Sequence, residues 1–150
     1  MKPAWSTGLP HSSFDSVYSF GVLHHIPNVE DVLTEIVRVL KPAAEGVFMV
    51  YNENSLLNAY SILFLHRGEG NEEELATKYS ERRLGNPNKR LYSDEEAKEL
   101  FGRFFSDVRV EAFFSAIDRE TERKVKIQAP KNLGWLPLVY CSGPRKTTPQ

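Results

Sequence analysis

The chain has 150 residues, 41% of them hydrophobic, and its 19 Lys and Arg nearly balance 20 Asp and Glu, so the formal charge is −1. This composition predicts one folded domain and argues against nucleic acid and membrane as partners, because both attract a basic surface. The single cysteine, Cys141, excludes an internal disulfide and a cysteine-based zinc cluster. No signal-peptide core is present, and the longest apolar-rich window, residues 55–65, is shorter than the about 20 residues of a membrane-spanning helix, which predicts a cytoplasmic protein.

The first three predicted elements form a strand–helix–strand unit. Residues 14–20 are rich in β-branched and aromatic types and are bounded by turn residues, which indicates a strand. Asn28 is a candidate N-cap for a helix that ends at Lys41-Pro42. The apolar positions of this helix recur at helical spacing, and they are Val29, Val32, Leu33, Ile36, Val37 and Leu40. Residues 47–51 are apolar throughout and predict a buried strand, parallel to the first through a right-handed crossover.

The second half of the chain predicts a helix and two further strands. Ser93 and Glu96 have the spacing of a capping box, and apolar residues follow them at helical spacing. Residues 108–114 alternate between apolar and charged types, which indicates a half-buried strand. Residues 136–141 are the last strand candidate, and residues 118–133 are expected to form a charged connection between these two strands.

The alternation of strands and helices predicts an α/β layer fold with a mostly parallel sheet. We expect a single α/β domain over residues 1–142, with a helical insertion at about residues 55–90 and a tail at residues 143–150.

The common motifs for metals and phosphates are missing. The clustered glycines Gly68 and Gly70 follow no predicted strand and precede an acidic run, residues 72–74, that would repel a phosphate and is typical of a solvated helix start. The histidines have no i, i+4 spacing to another ligand type, so no metal site is expected; they are His11, His24, His25 and His66.

One stretch is far more specific. Residues 14–27 are Phe-Asp-Ser-Val-Tyr-Ser-Phe-Gly-Val-Leu-His-His-Ile-Pro; Gly8-Leu9-Pro10 precedes them, and Leu40-Lys41-Pro42 follows the predicted helix. This combination closely resembles the class I S-adenosylmethionine-dependent methyltransferases of the methyltransferase type 11 kind. The resemblance implies the C-terminal half of a Rossmann-like methyltransferase sheet, with the equivalents of its last four strands, an antiparallel final strand and helices on both faces.

The resemblance also implies a site. Ligands of open α/β sheets bind beyond the carboxyl ends of the strands, where the segment from Ser19 to His25 leaves the first strand. In the family this segment lies beside the methionine part of S-adenosylmethionine and the methyl acceptor. It therefore points to Ser19, Phe20 and Gly21 as cofactor-side residues. Methyl transfer depends mainly on holding the acceptor in line in a dry pocket, so a base is optional.

Side chains near this segment have both functional and structural interpretations. His24 or His25 is the candidate base, and the alternative is that one imidazole hydrogen-bonds the loop while the other packs on the helix start. Tyr51 and Asn52, at the end of the second strand, are candidates for a small-molecule acceptor pocket. Asp15 is expected to hydrogen-bond turn amides at the strand entrance.

Three of the family's usual cofactor contacts have no counterpart in this sequence: the Gly-rich loop, the acid that binds the ribose, and the acid that faces the adenine amine. The turn after Pro42 also lacks the family's Gly-Gly, so either Gly46 supplies a left-handed residue in a lengthened turn or the turn is remodelled.

Two functions remain open on these residues. The first is methyl transfer from S-adenosylmethionine to a small molecule. The alternative is a non-catalytic, methyltransferase-like interaction module. The first strand of the chain is also expected to form an exposed apolar edge, which predicts a homodimer through that edge.

Overall fold

The computed structural model describes residues 6–60, 90–126, 128–130, 133–134 and 136–145. Its elements, in chain order, are β1 (Phe14–Phe20), a 3₁₀ turn (Leu23–His25), α1 (Val29–Val39), β2 (Leu40–Met49), β3 (Tyr51–Asn52), α2 (Leu56–Tyr60), β4 (Leu91–Tyr92), α3 (Asp94–Gly102), β5 (Phe105–Phe113), α4 (Ala116–Val125) and β6 (Leu136–Pro144). The clustered glycines, the acidic run and most of the expected insertion lie outside the described residues. None of the described helices is long and apolar enough to cross a membrane.

Four strands form the main sheet in the order β1-β2-β6-β5. β1 and β2 are parallel, whereas β6 is antiparallel to both of its neighbours, β2 and β5. This arrangement confirms the α/β fold and the antiparallel final strand. The short strands β3 and β4 pair in parallel as a separate ladder.

The amphipathic pattern of α1 places its apolar side chains in the core. Val29, Leu33 and Leu40 are buried, the last just after the helix, as the spacing predicts. Asn28 is the N-cap residue, but its side chain makes no capping hydrogen bond. The helix ends at Val39 and the chain continues directly as β2.

The turn after Pro42 is remodelled. The pairing of β1 with β2 jumps from Phe14↔Leu40 to Ser16↔Glu45, so the intervening residues form an irregularity within the strand pair. Gly46 does not supply a left-handed residue, because it is absent from the glycines with positive φ in the described part of the chain. Its small size is needed for another reason: a β-carbon there would lie 2.6 Å from Cε2 of Phe48.

The core lies between one face of the sheet and the helices α1 and α3. Phe48 of β2 packs on Phe101 of α3, with ring centroids 4.9 Å apart, and the predicted capping box of Ser93 and Glu96 starts that helix. On the opposite face, a row in register runs Tyr18, Val47, Tyr140, Arg109. Tyr18 and Arg109, at the two ends of this row, are exposed.

The helix α4 occupies a segment for which the sequence predicted a charged connection, and that prediction is wrong. Ser115 is its N-cap and forms a capping box with Asp118, whose side chain is fully buried. The Ser-x-x-Asp spacing is a signal that could have located this helix. α4 contacts α2. The two remaining strands are also longer than expected, since β5 begins at Phe105 and β6 continues to Pro144.

Candidate active site

The candidate site lies where β1 and β2 end. Gly21 follows β1 with a φ of 74°, a conformation that side-chain-bearing residues seldom adopt. A β-carbon at this position would meet Cε of Met49 at an ordinary 3.6 Å, so the backbone angle rather than crowding favours glycine. Gly21 thus turns the chain out of the sheet and into the 3₁₀ turn that carries both histidines.

Three aromatic rings meet beyond this turn. The ring centroid of His24 lies 3.7 Å from that of Tyr51, at an interplanar angle of 31°. His25 packs edge-on against His24, with centroids 4.1 Å apart, and its centroid is 6.0 Å from that of Tyr51. The structure therefore brings both candidate bases and one acceptor-pocket candidate into a single cluster.

The two histidines differ in access to solvent. His24 is 1% exposed, whereas His25 is half-buried. A group that exchanges a proton with a substrate must come within hydrogen-bond reach of it. His25 has that access, whereas His24 is buried against the ring of Tyr51.

Two of the three cofactor-side candidates, Ser19 and Phe20, are the last residues of β1, and the third, Gly21, follows the strand. Ser19 pairs with Phe48 in register and shares the core side of the sheet, whereas Phe20 is 48% exposed on the other side, stacked on Tyr18 at 6.0 Å. Their side chains therefore point to opposite faces.

Asn52 has a different environment from Tyr51. Its Nδ2 donates to the carbonyl oxygen of Gly134 at 2.9 Å, and its Oδ1 accepts from the amide of Asn54 at 2.9 Å. The residue is 1% exposed. The side-chain amide of Asn52 thus holds the loop after β3 against the segment that leads into β6. Because its Nδ2 and Oδ1 atoms make these hydrogen bonds, the structure does not present Asn52 to the histidine cluster as a binding group.

The segment that closes this site was not predicted from the sequence. The amide of Arg90 donates to the carbonyl oxygen of His24 at 2.8 Å, just before β4 pairs with β3. The guanidinium of Arg90 lies over the ring of Tyr92, 4.9 Å from its centroid, and burial raises the pKa of the Tyr92 hydroxyl. No short motif marks this contact, because it joins segments far apart in the sequence.

Charged groups on the β1 side are structural. Asp15 accepts from Nζ of Lys41 at 2.7 Å instead of from turn amides, and both side chains are exposed.

Within the described ranges, no three His, Cys, Asp or Glu side chains are grouped to hold a metal ion. A shallow cavity of about 340 Å³ lies away from the histidines, on the open sheet face around Glu45, Arg109 and Tyr140.

Part of this chain is similar to known methyltransferases. Residues 3–49, which include β1, the histidine turn and α1, match the methyltransferase domain family. A sterol 24-C-methyltransferase of Aspergillus fumigatus is 52% identical over 42 residues, which are 28% of this chain and 11% of that enzyme.

Solved methyltransferases share the fold over nearly the whole chain. A methyltransferase of Thermotoga maritima, described as a possible histamine N-methyltransferase, aligns with a TM-score of 0.62 at 19% identity, over 95% of this chain and 62% of that one. A methyltransferase of Archaeoglobus fulgidus gives 0.59 at 14% identity, over 94% and 65%. Phosphoethanolamine N-methyltransferase 2 of Haemonchus contortus, bound to phosphomonomethylethanolamine and S-adenosylhomocysteine, gives 0.57 at 15% identity, over 95% and 36%. The chain therefore spans less than two thirds of each of these proteins.

Proposed function

We propose that this chain, which carries part of a class I S-adenosylmethionine-dependent methyltransferase domain, forms the acceptor side of a site for methyl transfer to a small molecule. The observation that carries this proposal is the meeting of His24, His25 and Tyr51 beyond the carboxyl ends of β1 and β2, just after the turn at Gly21. That edge is where open α/β sheets bind their ligands.

Ser19, Phe20 and Gly21 would hold the methionine end of the cofactor, which supplies an electrophilic methyl group on its sulfonium. The Ser19 hydroxyl offers a hydrogen bond, the Phe20 ring offers apolar contact, and Gly21 allows close approach of the backbone. The sequence has no Gly-rich loop or ribose-binding acid, so the affinity of these residues alone is expected to be low.

The aromatic cluster would position the acceptor. Tyr51 and His24 form a packed wall that excludes water from one side of the site, which strengthens polar interactions there. The half-buried His25 can accept the proton that an amine or hydroxyl acceptor loses, at the ring nitrogen that carries no proton in the neutral imidazole. The packed His24 keeps His25 in place through their edge contact.

Calorimetric titration of the purified chain with S-adenosylmethionine tests the cofactor half of the proposal. We expect a saturable heat of binding. The dissociation constant should be at least about tenfold higher in Gly21→Ala, because alanine is strained at this φ. Gly102→Ala is the matched control, since a β-carbon there meets nothing within 4 Å. Absence of heat up to about 1 mM cofactor would rule out independent binding by this chain.

A labelled-methyl assay against a panel of small amines, phenols and alcohols tests the acceptor half. We expect His25→Gln to lower the transfer rate about 100-fold without changing the heat of cofactor binding. An equal rate in His25→Gln and the unmodified chain would remove His25 from the mechanism.

The second function, an interaction module, has one observation in its favour. β1 is an edge strand in the described part of the chain, and its aromatic side chains are exposed. Binding through an edge needs no cofactor, so a chain that fails the calorimetric test could still act in this way.

A further inference from the structure

The segment of residues 90–92 contacts both sides of the aromatic cluster. Its first residue, Arg90, donates its main-chain N–H to the carbonyl oxygen of His24 at 2.8 Å. Its second residue, Leu91, pairs in register with Tyr51. One short segment is therefore bonded to the histidine turn and also to the strand that carries the tyrosine.

The N–H of Arg90 bonds to a peptide group that is held at both ends. This peptide joins His24 to His25, and its carbonyl oxygen is the one that accepts from residue 90. Its own N–H donates to the carbonyl oxygen of Val22 at 3.0 Å. The peptide is planar and leads directly into the Cα atom of His25. Because the side chain leaves from that atom, fixing the plane limits the directions in which the imidazole can point.

The other end of segment 90–92 is anchored away from the site. Tyr92 is 1% exposed and belongs to the hydrophobic core, and its carbonyl oxygen accepts from the amide of Glu53 at 3.1 Å. Ser93 follows as the N-cap of α3, where its capping box with Glu96 fixes the start of the helix. The amide that bonds to the histidine turn is thus presented by a segment that the core and a helix hold in place.

We propose that Arg90 is a positioning residue for methyl transfer: its main-chain N–H fixes the peptide before His25 and so holds that imidazole where it can accept the proton of the acceptor. This role rests on the proposed function, because it concerns the same site. The guanidinium of Arg90 lies elsewhere, over the ring of Tyr92 and 3.9 Å from the carboxylate of Glu96. The role therefore belongs to the main chain, and proline is the residue that cannot fill it, because it has no N–H.

NMR spectroscopy of the full chain tests the hydrogen bond and its effect on the cluster. The amide of Arg90 should exchange with solvent at least about 100-fold more slowly than in the unfolded chain. The ring protons of His24 and His25 should carry ring-current shifts from Tyr51, since the rings of His24 and Tyr51 are 3.7 Å apart. Tyr51→Leu is the reference for complete loss of these shifts. Arg90→Pro should lose at least about half of them, whereas Arg90→Ala keeps the N–H and should keep them.

The labelled-methyl assay adds a kinetic measurement. Arg90→Pro should lower kcat about 10–100-fold without changing the heat of cofactor binding, because displacing a reacting group by about 1 Å has a cost of this size. Asp94→Pro is the matched control: Asp94 is the first residue of α3, where the amide has no partner inside the helix and proline is well tolerated. It should keep the wild-type kcat and histidine shifts, and circular dichroism would verify that both proline variants are folded.

Several results would overturn the positioning role: exchange of the Arg90 amide at the rate of the unfolded chain, loss of the histidine shifts in Arg90→Ala, or a folded Arg90→Pro with wild-type shifts or wild-type kcat. If Arg90→Pro does not fold, the exchange rate and the Arg90→Ala shifts decide the question. A wild-type chain that transfers no methyl group would overturn the proposed function instead, and the NMR measurements would then report separately on whether Arg90 fixes the histidine turn.

Discussion

Asn52 donates a hydrogen bond to the carbonyl oxygen of Gly134, 2.9 Å away, although 82 residues separate them in the chain. This bond joins the end of β3, next to the aromatic cluster, to the segment that enters the antiparallel strand β6. A buried amide with its hydrogen bonds made stabilises the fold, whereas the same amide left without them costs free energy. The placement of Tyr51 beside the histidines thus depends on a contact remote from both.

Gly134→Ala tests how tightly this segment is packed. A β-carbon at Gly134 would lie 2.2 Å from the carbonyl oxygen of Phe113, so the backbone must move. We expect a loss of about 2–3 kcal/mol in the free energy of unfolding. Gly102→Ala, in the open last turn of α3, should raise it by about 0.5–1 kcal/mol. Urea denaturation measures both, and equal effects of the two substitutions would contradict this packing around Gly134.

The difference in burial between the two histidines predicts different costs of truncation. His24→Ala leaves a cavity against Tyr51 and should lower the free energy of unfolding by about 2–4 kcal/mol. His25→Ala removes a half-buried ring and should cost less than about 1 kcal/mol. Urea denaturation at pH 7 compares the two, and a larger loss in His25→Ala would show that the buried ring has been assigned to the wrong histidine.

The hydrogen-bonded carboxylate of Glu35 is expected to make the free energy of unfolding depend on pH. Its carboxylate accepts from Arg38 Nε at 2.6 Å and from the amide of Thr7 at 2.8 Å. The hydrogen bonds from Arg38, and then those from Thr7, lower the pKa of Glu35 from 4.5 to about 2. A lowered carboxyl pKa means that this stabilisation is complete above pH 4.5 and is lost as the pH falls towards 2.

We therefore expect Glu35→Gln to lower the free energy of unfolding by about 1–2 kcal/mol at pH 7, with the difference from wild type shrinking between pH 4.5 and 2. The matched control is Glu30→Gln, which breaks the exposed pair with Arg103 and should change stability by less than about 0.5 kcal/mol. Denaturant titrations across this pH range provide the measurement. A difference that grows on acidification would mean that the fold raises, rather than lowers, the pKa of Glu35.

The thiol of Cys141 should be unreactive in the folded chain. The residue is 4% exposed, and burial, with a smaller contribution from the charge of Asp107, raises its pKa to about 12. Because the thiolate is the reactive form, maleimide labelling at pH 8 should be at least about 100-fold slower than in urea. Cys141 is the single cysteine, so labelling reports on this strand alone. Rapid labelling without denaturant would contradict the burial of β6.

Local patterns in the sequence determined much of the fold. The bounds of β1, the buried positions of α1 and the capping box at Ser93 all agree with the structure. Each depends on side chains within a few residues of one another, through side-chain alternation, helical spacing or a cap. The motif around His24 also predicted a site at the carboxyl end of β1, since the end of a parallel strand is a local feature with a known position in the fold.

Contacts between distant segments were decided only by the tertiary structure. Packing, and not residue type, separated the buried His24 from the accessible His25, engaged Asn52 with Gly134 and brought Arg90 to the histidine turn. The composition likewise predicted one domain with nearly balanced charge, whereas strand order left β1, with the single charged residue Asp15, and the charged β5 at opposite edges of the described sheet. The physical reason is that strand pairing and side-chain packing join residues whose separation in the sequence carries no information about their distance in space.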